Sequence, residues 1–327
     1  MIVILGTPRS GTTWLGKIFD SHPDTMYRHE PDSYLLPDVP LMIPRADLDR
    51  YNDELADYLE RLKQVRTLKV TTKLPLFNKS YYRPIRRRLR YAVVAAAKVG
   101  SRVVKNIQVP DLIDGDKANC RWVFKSIESL GRMGAFARAR PESRFIHIIR
   151  HPCGVTGSIL RAIAGAKFTS DTPIHEDWGI YEMLAETDEA REYGIDMDRL
   201  RGMHPVERTA WNWVLLNEKA LNDTRDLPNC KAIRYEDLCE RPIETSKELF
   251  DFAGLHWHRQ TEGFLDQSTS SEQSSYYSVY KDPLKAAMKW KHEMHADDIA
   301  RVFDVIAETQ PGRLFPRDTA EQTQTGR

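Results

Sequence analysis

"MIVILGTPRSGTTWLGKIF", residues 1–19, decides the fold. Ile2 to Leu5 is an unbroken apolar run stopped by Gly6, as expected of a strand buried on both faces of a parallel sheet. Thr12 to Phe19 then places Trp14, Leu15, Ile18 and Phe19 at helical spacing. The intervening GTPRSGTTW has the outline of a phosphate loop, Gly-x4-Gly followed by two hydroxyl residues, at a strand-to-helix junction. There successive backbone N–H groups and the helix dipole face an anion. Thr12 stands where nucleotide triphosphatases carry the lysine that reaches the β- and γ-phosphates. The cation comes earlier, at Arg9, which suits a donor without a triphosphate.

The same alternation continues downstream. RWVFKS (121–126) reads as a strand and 130–140 as a helix. RFIHIIR (144–150) is the next strand, and Pro152 opens a helix reaching Ala162. Residues 205–224 carry Trp211, Val214, Leu215 and Leu221 on one helical stripe; KAIRYEDL (231–238) reads as a strand, and 242–253 as a helix closed by Gly254. Strands alternating with helices predict an α/β fold, a P-loop-like three-layer arrangement with a central parallel sheet flanked by helices. Ligands of such sheets bind at the carboxyl ends of the strands, where Arg9 and Arg150 fall. We expect one domain over 1–316 and a flexible tail over 317–327. Two stretches read as lid or acceptor-binding insertions: 81–105, with eight basic residues and no acidic one, and 171–202, strongly acidic from Asp171 to Asp198. A solvated helix face would explain either.

A length of 327 residues, 41% hydrophobic and 29% charged, is the composition of an ordinary globular protein. A net charge of +1 leaves no global footprint for nucleic acid, so anion affinity must be local. Four scattered cysteines without a C-x2-C pair argue against a zinc knuckle or a disulfide framework and for a reducing compartment. No run approaches the roughly 18 apolar residues of a membrane span, and the opening strand leaves no room for a signal peptide. The expected location is cytoplasmic, with the Golgi lumen conceivable only if an anchor has been removed. His256-x-His258 and His292-x2-His295 lack the partners of a known metal motif, so no metal is expected.

TPRSGTTWL resembles the loop with which the sulfotransferase superfamily binds the 5′-phosphosulfate of 3′-phosphoadenosine-5′-phosphosulfate (PAPS). RHPCGVTGS resembles the family's second signature, an Arg at a strand end and a Ser eight residues on that grip the 3′-phosphate; here they are Arg150 and Ser158. The carbohydrate-type and bacterial members are the nearest in pattern. The resemblance implies transfer of a sulfuryl group to a hydroxyl of a carbohydrate, glycoconjugate or other small alcohol. 3′-Phosphoadenosine 5′-phosphate (PAP) would be the second product.

By the same resemblance, Arg9, Ser10, Gly11, Thr12 and Thr13 form the donor cradle, Trp14 packs near the adenine, and Lys281 adds a basic contact to the 3′-phosphate. Glu30, in YRHEPDS, matches the glutamate that such enzymes place about twenty residues after the loop, with His29 as the competing base. Lys125 matches the lysine facing the transferring group. Ile127 and Glu128 stand where aryl-type members carry a catalytic histidine, which turns the reading from phenols toward the glutamate-base branch. In-line attack without Mg²⁺ is expected, because a sulfuryl group carries less negative charge than a phosphoryl group. Two other functions stay open: a nucleotide kinase or NTPase that lost its lysine, and a non-catalytic protein binding polyanions or membrane surfaces through 83–105. Partnership with nucleic acid is not expected; homo-oligomerisation is open.

Overall fold

The computed structural model describes residues 1–101, 107–111, 120–164, 176–270 and 282–317, with the side chains of Pro84, Arg87, Ala164 and Ser270 left aside. Five strands form one sheet: β1 Ile2–Leu5, β2 Thr25–His29, β3 Arg121–Ser126, β4 Arg144–Ile149 and β5 Cys230–Arg234. Their order is β2-β3-β1-β4-β5, and every neighbouring pair is parallel. This is the architecture the alternating pattern predicts.

β1 lies at the centre, with Ile4 registered against Lys125 on one side and Ile146 on the other. Its side chains alternate between two helix layers, as a pleated strand requires. Ile2 and Ile4 pack with Leu15, Ile18 and Phe19 of the first helix, Thr12–Ser21, and with Leu249 and Phe250. Val3 and Leu5 face the opposite layer with Leu55, Phe136 and Leu215. The long helix Pro205–Thr224 lies in that layer and is capped by His204 and Glu207.

β2 was not foreseen. TMYRH carries no apolar alternation, yet all five residues are buried. The buried guanidinium of Arg28 reaches Asp111 at 2.7 Å and stacks 5.0 Å from the Trp122 ring, and Lys79 donates to Thr25 Oγ1 at 3.1 Å. Pairing, rather than hydrophobicity, permits the burial. A second correction concerns 231–238: β5 ends at Arg234, and Tyr235–Glu240 is a helix with Glu236 and Asp237 in its first turn, where carboxylates meet the positive end of the dipole. Gly254 closes helix Pro242–Ala253 in the left-handed region, as read from the sequence.

Within 81–105 the described residues form helix Pro84–Gly100, with Ile85 and Val99 prominently exposed. The described part of the acidic stretch folds as Trp178–Ala185, Asp188–Glu192 and Met197–Gly202, whose Tyr181, Leu184, Ala190 and Leu200 belong to the core. Among the described residues no helix is long and apolar enough to cross a membrane.

Because Ile4 fills the space between two neighbouring strands and the first helix, Ile4→Ala should cost about 2–5 kcal/mol of unfolding free energy in a denaturant melt. A smaller loss would mean that the layers close over the cavity.

Candidate active site

In a parallel sheet every strand delivers its C-terminal residue to the same edge, and neighbouring strands lie about 4.8 Å apart. The order β2-β3-β1-β4-β5 therefore sets Glu30, Lys125, the Gly6–Thr13 loop, Arg150 and Tyr235 side by side along that edge. Leu5 and Ser126, 121 positions apart in the chain, become neighbours, with the loop between the Glu30 end and the Arg150 end.

The loop is tightly drawn. Gly11, the residue before the first helix, has φ 94°, and a Cβ there would lie 2.3 Å from Tyr235 Cδ2. Only glycine meets both conditions. Arg9 also has positive φ, at 72°. No side chain caps the first helix; Gly11 O accepts from the amides of Trp14 and Leu15 at 3.0 and 3.2 Å. The earlier amides point toward the loop, the arrangement that receives anions. Thr7 Oγ1 and Ser10 Oγ are buried without a hydrogen-bond partner.

Arg150 ties β4 to this loop. Its Nη1 donates to Arg9 O at 2.9 Å and its Nη2 to Ala286 O at 2.7 Å, while the guanidinium lies 4.9 Å from the Tyr235 ring centroid. Its Nε is buried and unpartnered. The carbonyl of Arg150 accepts from Trp213 Nε1 at 3.0 Å, so the residue is held at both ends. Ser158, two turns into helix Pro152–Ala164, accepts from Arg9 Nε at 2.8 Å. Two sequence signatures about 140 residues apart thus touch through main chain and side chain.

At the other end, Glu30 takes the left-handed conformation, φ 51°, and its amide donates to Lys125 O at 2.8 Å. The buried Lys125 Nζ donates to Glu30 Oε1, and Lys69 Nζ lies 3.0 Å from Oε2. Burial alone would raise the Glu30 carboxyl; Lys125 first and then Lys69 overcome it and hold the pKa at about 2. Burial lowers Lys125, against the pull of Glu30. His29 is held at about 2, first by burial and then by Lys125, and its Nδ1 lies 2.8 Å from the Tyr27 hydroxyl. His29 is therefore neutral and a poor proton acceptor. The strand tip carrying Lys125 is fixed by Asp32, whose Oδ2 accepts from Ser126 Oγ and, at 2.8 Å, from Ser129 Oγ.

Among the other residues singled out, Trp14 is 7% exposed, its N–H donates to Ser268 Oγ at 3.1 Å, and its ring meets Tyr235 edge-on. Lys281 lies outside the described residues. Lys69, Asp32 and Tyr235 escaped the sequence reading. Lys69 sits in TLKVTTK, which has no motif, and Asp32 follows Glu30 by two residues without a spacing that marks a partner.

A sequence profile described as "Sulfotransferase family" matches residues 2–259. Carbohydrate sulfotransferase 3 of Mus musculus is 28% identical over 158 residues, 47% of this chain and 30% of that protein. The Homo sapiens protein of the same name is 24% identical over 157 residues, again 47% and 30%. The chain thus matches less than a third of the length of these relatives. Among solved structures, the sulfotransferase domain from the curacin biosynthetic pathway is 15% identical, with 94% of this chain and 97% of that one covered and a TM-score of 0.44. Mouse sulfotransferase SULT7A1 complexed with PAP is 12% identical, with 96% and 86% covered and a TM-score of 0.43. With the profile running from the first strand past β5 and over well more than half of its length, the chain belongs to the sulfotransferase family.

Proposed function

We propose that the chain transfers the sulfuryl group of PAPS to a carbohydrate hydroxyl and releases PAP. The observation that carries the reading is the meeting of its two anion signatures: Arg150 donates to Arg9 O at 2.9 Å, and Arg9 donates to Ser158 at 2.8 Å. The 28% identity to mouse carbohydrate sulfotransferase 3 supports a carbohydrate acceptor.

The residues fit such a donor. The uncapped start of the first helix, the buried hydroxyls of Thr7 and Ser10, and Arg150 Nε are polar groups for which an anion supplies acceptors. PAPS brings an activated sulfuryl group on a phosphate leaving group. The amides and hydroxyls of Ser10, Gly11, Thr12 and Thr13, with Arg9, hold its 5′ end. Arg150 and Ser158 hold the 3′-phosphate, with Lys281 as a further basic contact. Trp14 packs near the adenine, its buried ring anchored by the N–H that donates to Ser268. These cations and amides can offset the modest charge of a sulfuryl group, so no step is given to a metal.

Glu30 accepts the acceptor's proton, and Lys125 serves the leaving oxygen. A carboxylate held at about 2 is a weak base for a hydroxyl, since general bases work best with a pKa near the operating pH. The two assignments resolve this together. As Lys125 turns toward the leaving oxygen, Glu30 loses its strongest attraction, and burial then drives its pKa upward. His29, neutral and bonded to Tyr27, shapes the pocket rather than moving the proton.

Three measurements test the proposal. PAP at a hundred times its Kd should stabilise the protein by about 2.7 kcal/mol, ATP far less, and Arg150→Ala or the smaller change Ser158→Ala should weaken the PAP effect. Equal protection by ATP would favour a nucleotide kinase, and indifference to Arg150 would favour a polyanion binder. Glu30→Gln should lower turnover at least about 100-fold while PAP still binds; near-normal turnover would remove Glu30 as the base. Lys125→Met should lower kcat and move the acidic limb of kcat/KM upward from near 2, because burial of Glu30 is then opposed less. An unmoved limb in an active variant would break the link between the two residues.

A further inference from the structure

One cluster lies outside this chemistry. Among the described residues, His22, Asp24 and His256 bring one ligand atom each to within 4.8 Å of one another. His22 ends the first helix, Asp24 immediately precedes β2, and His256 lies in the loop between helices Pro242–Ala253 and Arg259–Ser270. No motif announces the group, because the H-x-D and H-x-H pairs lie more than two hundred residues apart and only the fold joins them.

We propose that His22, Asp24 and His256 form a binding site for a divalent transition metal of the zinc type. The independent observation pointing to a ligand is His22: the ring is fully buried, and its Nε2 has no hydrogen-bond partner. A buried polar atom left unpaired costs about 1–3 kcal/mol, which a bound ion would offset. His256 is exposed, its ring centroid 4.6 Å from that of His22 and nearly perpendicular to it, and His258 stands 5.8 Å from His22.

Two imidazoles and a carboxylate form a mixed nitrogen and oxygen set that zinc accepts, with a fourth position for water. Zinc bonds of about 2.0–2.1 Å in a tetrahedron put ligand atoms roughly 3.4 Å apart, so the cluster must contract by about 1.4 Å. The exposed His256 and the half-buried Asp24 can supply this by side-chain rotation. Asp24 is already oriented, since its Oδ1 accepts from Ser80 Oγ at 2.5 Å, which leaves the other oxygen for the metal. His22 Nδ1 accepts from the Asp24 amide at 3.1 Å, which places the ring proton on Nε2. For Nε2 to bind a metal that proton must pass to Nδ1, so the ring turns off the Asp24 amide, and the freed Nδ1–H and amide N–H turn to water beside the half-buried Asp24. Lys79 donates to His22 O at 3.0 Å, and its charge is met by Asp20 at 2.9 Å.

The ten-residue first helix, about 15 Å long, separates this cluster from the phosphate loop, so its role is to brace the fold. The metal would fasten the turn between the first helix and β2 to the loop ahead of helix Arg259–Ser270. It is independent of the sulfotransferase reading.

The test uses the full chain, stripped of metal and titrated with Zn²⁺ against a chromophoric chelator, with the unfolding temperature followed in parallel. One equivalent should bind, and the unfolding temperature should rise. Loss of even an outer-shell partner costs about 10–100-fold in metal affinity, so His256→Ala and Asp24→Asn should each weaken uptake at least about tenfold. Both residues are accessible, so these variants should fold; His292→Ala, elsewhere on the surface, should bind as the parent does. Absence of saturable uptake, undiminished uptake in both His256→Ala and Asp24→Asn, or loss confined to His292→Ala would each overturn the site.

Discussion

The hydrogen bond from the Arg150 guanidinium to the carbonyl of Arg9 is the contact on which the rest of the site depends. It joins the tip of β4 to the turn that follows β1, and it holds Arg9 where its own Nε reaches Ser158. The contact is possible because β1 and β4 are parallel neighbours and release their chains at one edge. An antiparallel pairing of the same two segments would send them to opposite ends of the sheet. The positive φ of Arg9 turns its carbonyl toward the arginine, and Gly11 lets Tyr235 close over the guanidinium from the β5 side.

The two ends of the edge meet different electrostatic demands. Near Arg150 the guanidinium is held by carbonyls and an aromatic face, neutral partners that leave its net charge uncancelled for an anion. Near Glu30 the carboxylate is met within the protein: a buried ammonium sits on one oxygen, and a second lysine closes the other. Breaking a buried pair by removing one partner is costly, whereas exchanging one partner for another of like charge is not. A sulfuryl donor would offer Lys125 such an exchange, and under the proposed function this is what would let a quiet ion pair become a base beside a leaving group.

Legibility in the sequence follows the same physics. β1, β3 and β4 could be read because they are buried by apolar side chains, and the loop because a strand-to-helix turn needs its glycines at fixed places. β2 could not, since Thr25, Arg28 and His29 enter the interior through hydrogen bonds and ion pairs, and a periodicity argument sees only hydrophobicity. The end of β5 was read four residues too late because Ile233, Arg234 and Tyr235 alternate as a strand would, whereas the acidic pair after them belongs to a helix start. Glu30, Lys125, Arg150 and Ser158 could be named by motif. Lys69 and Asp32 could not, because what places them at the site is the folding of distant segments rather than local spacing.

The His22–Asp24–His256 cluster and the Gly6–Thr13 loop lie at opposite ends of one short helix, and this determines how one can affect the other. The helix is buried from Trp14 to Ser21 and joined to helix Arg259–Ser270 at both ends. Trp14 donates to Ser268 near the loop, and Ser21 bonds Thr261 near the cluster. Fixing the His256 loop would therefore limit how far the second helix can slide along the first, and with it the position of Trp14 under the phosphate turn. Such a brace would act on the precision of the loop rather than on the charge at the reacting atoms, since about 15 Å exceeds the roughly 8 Å screening length at physiological salt.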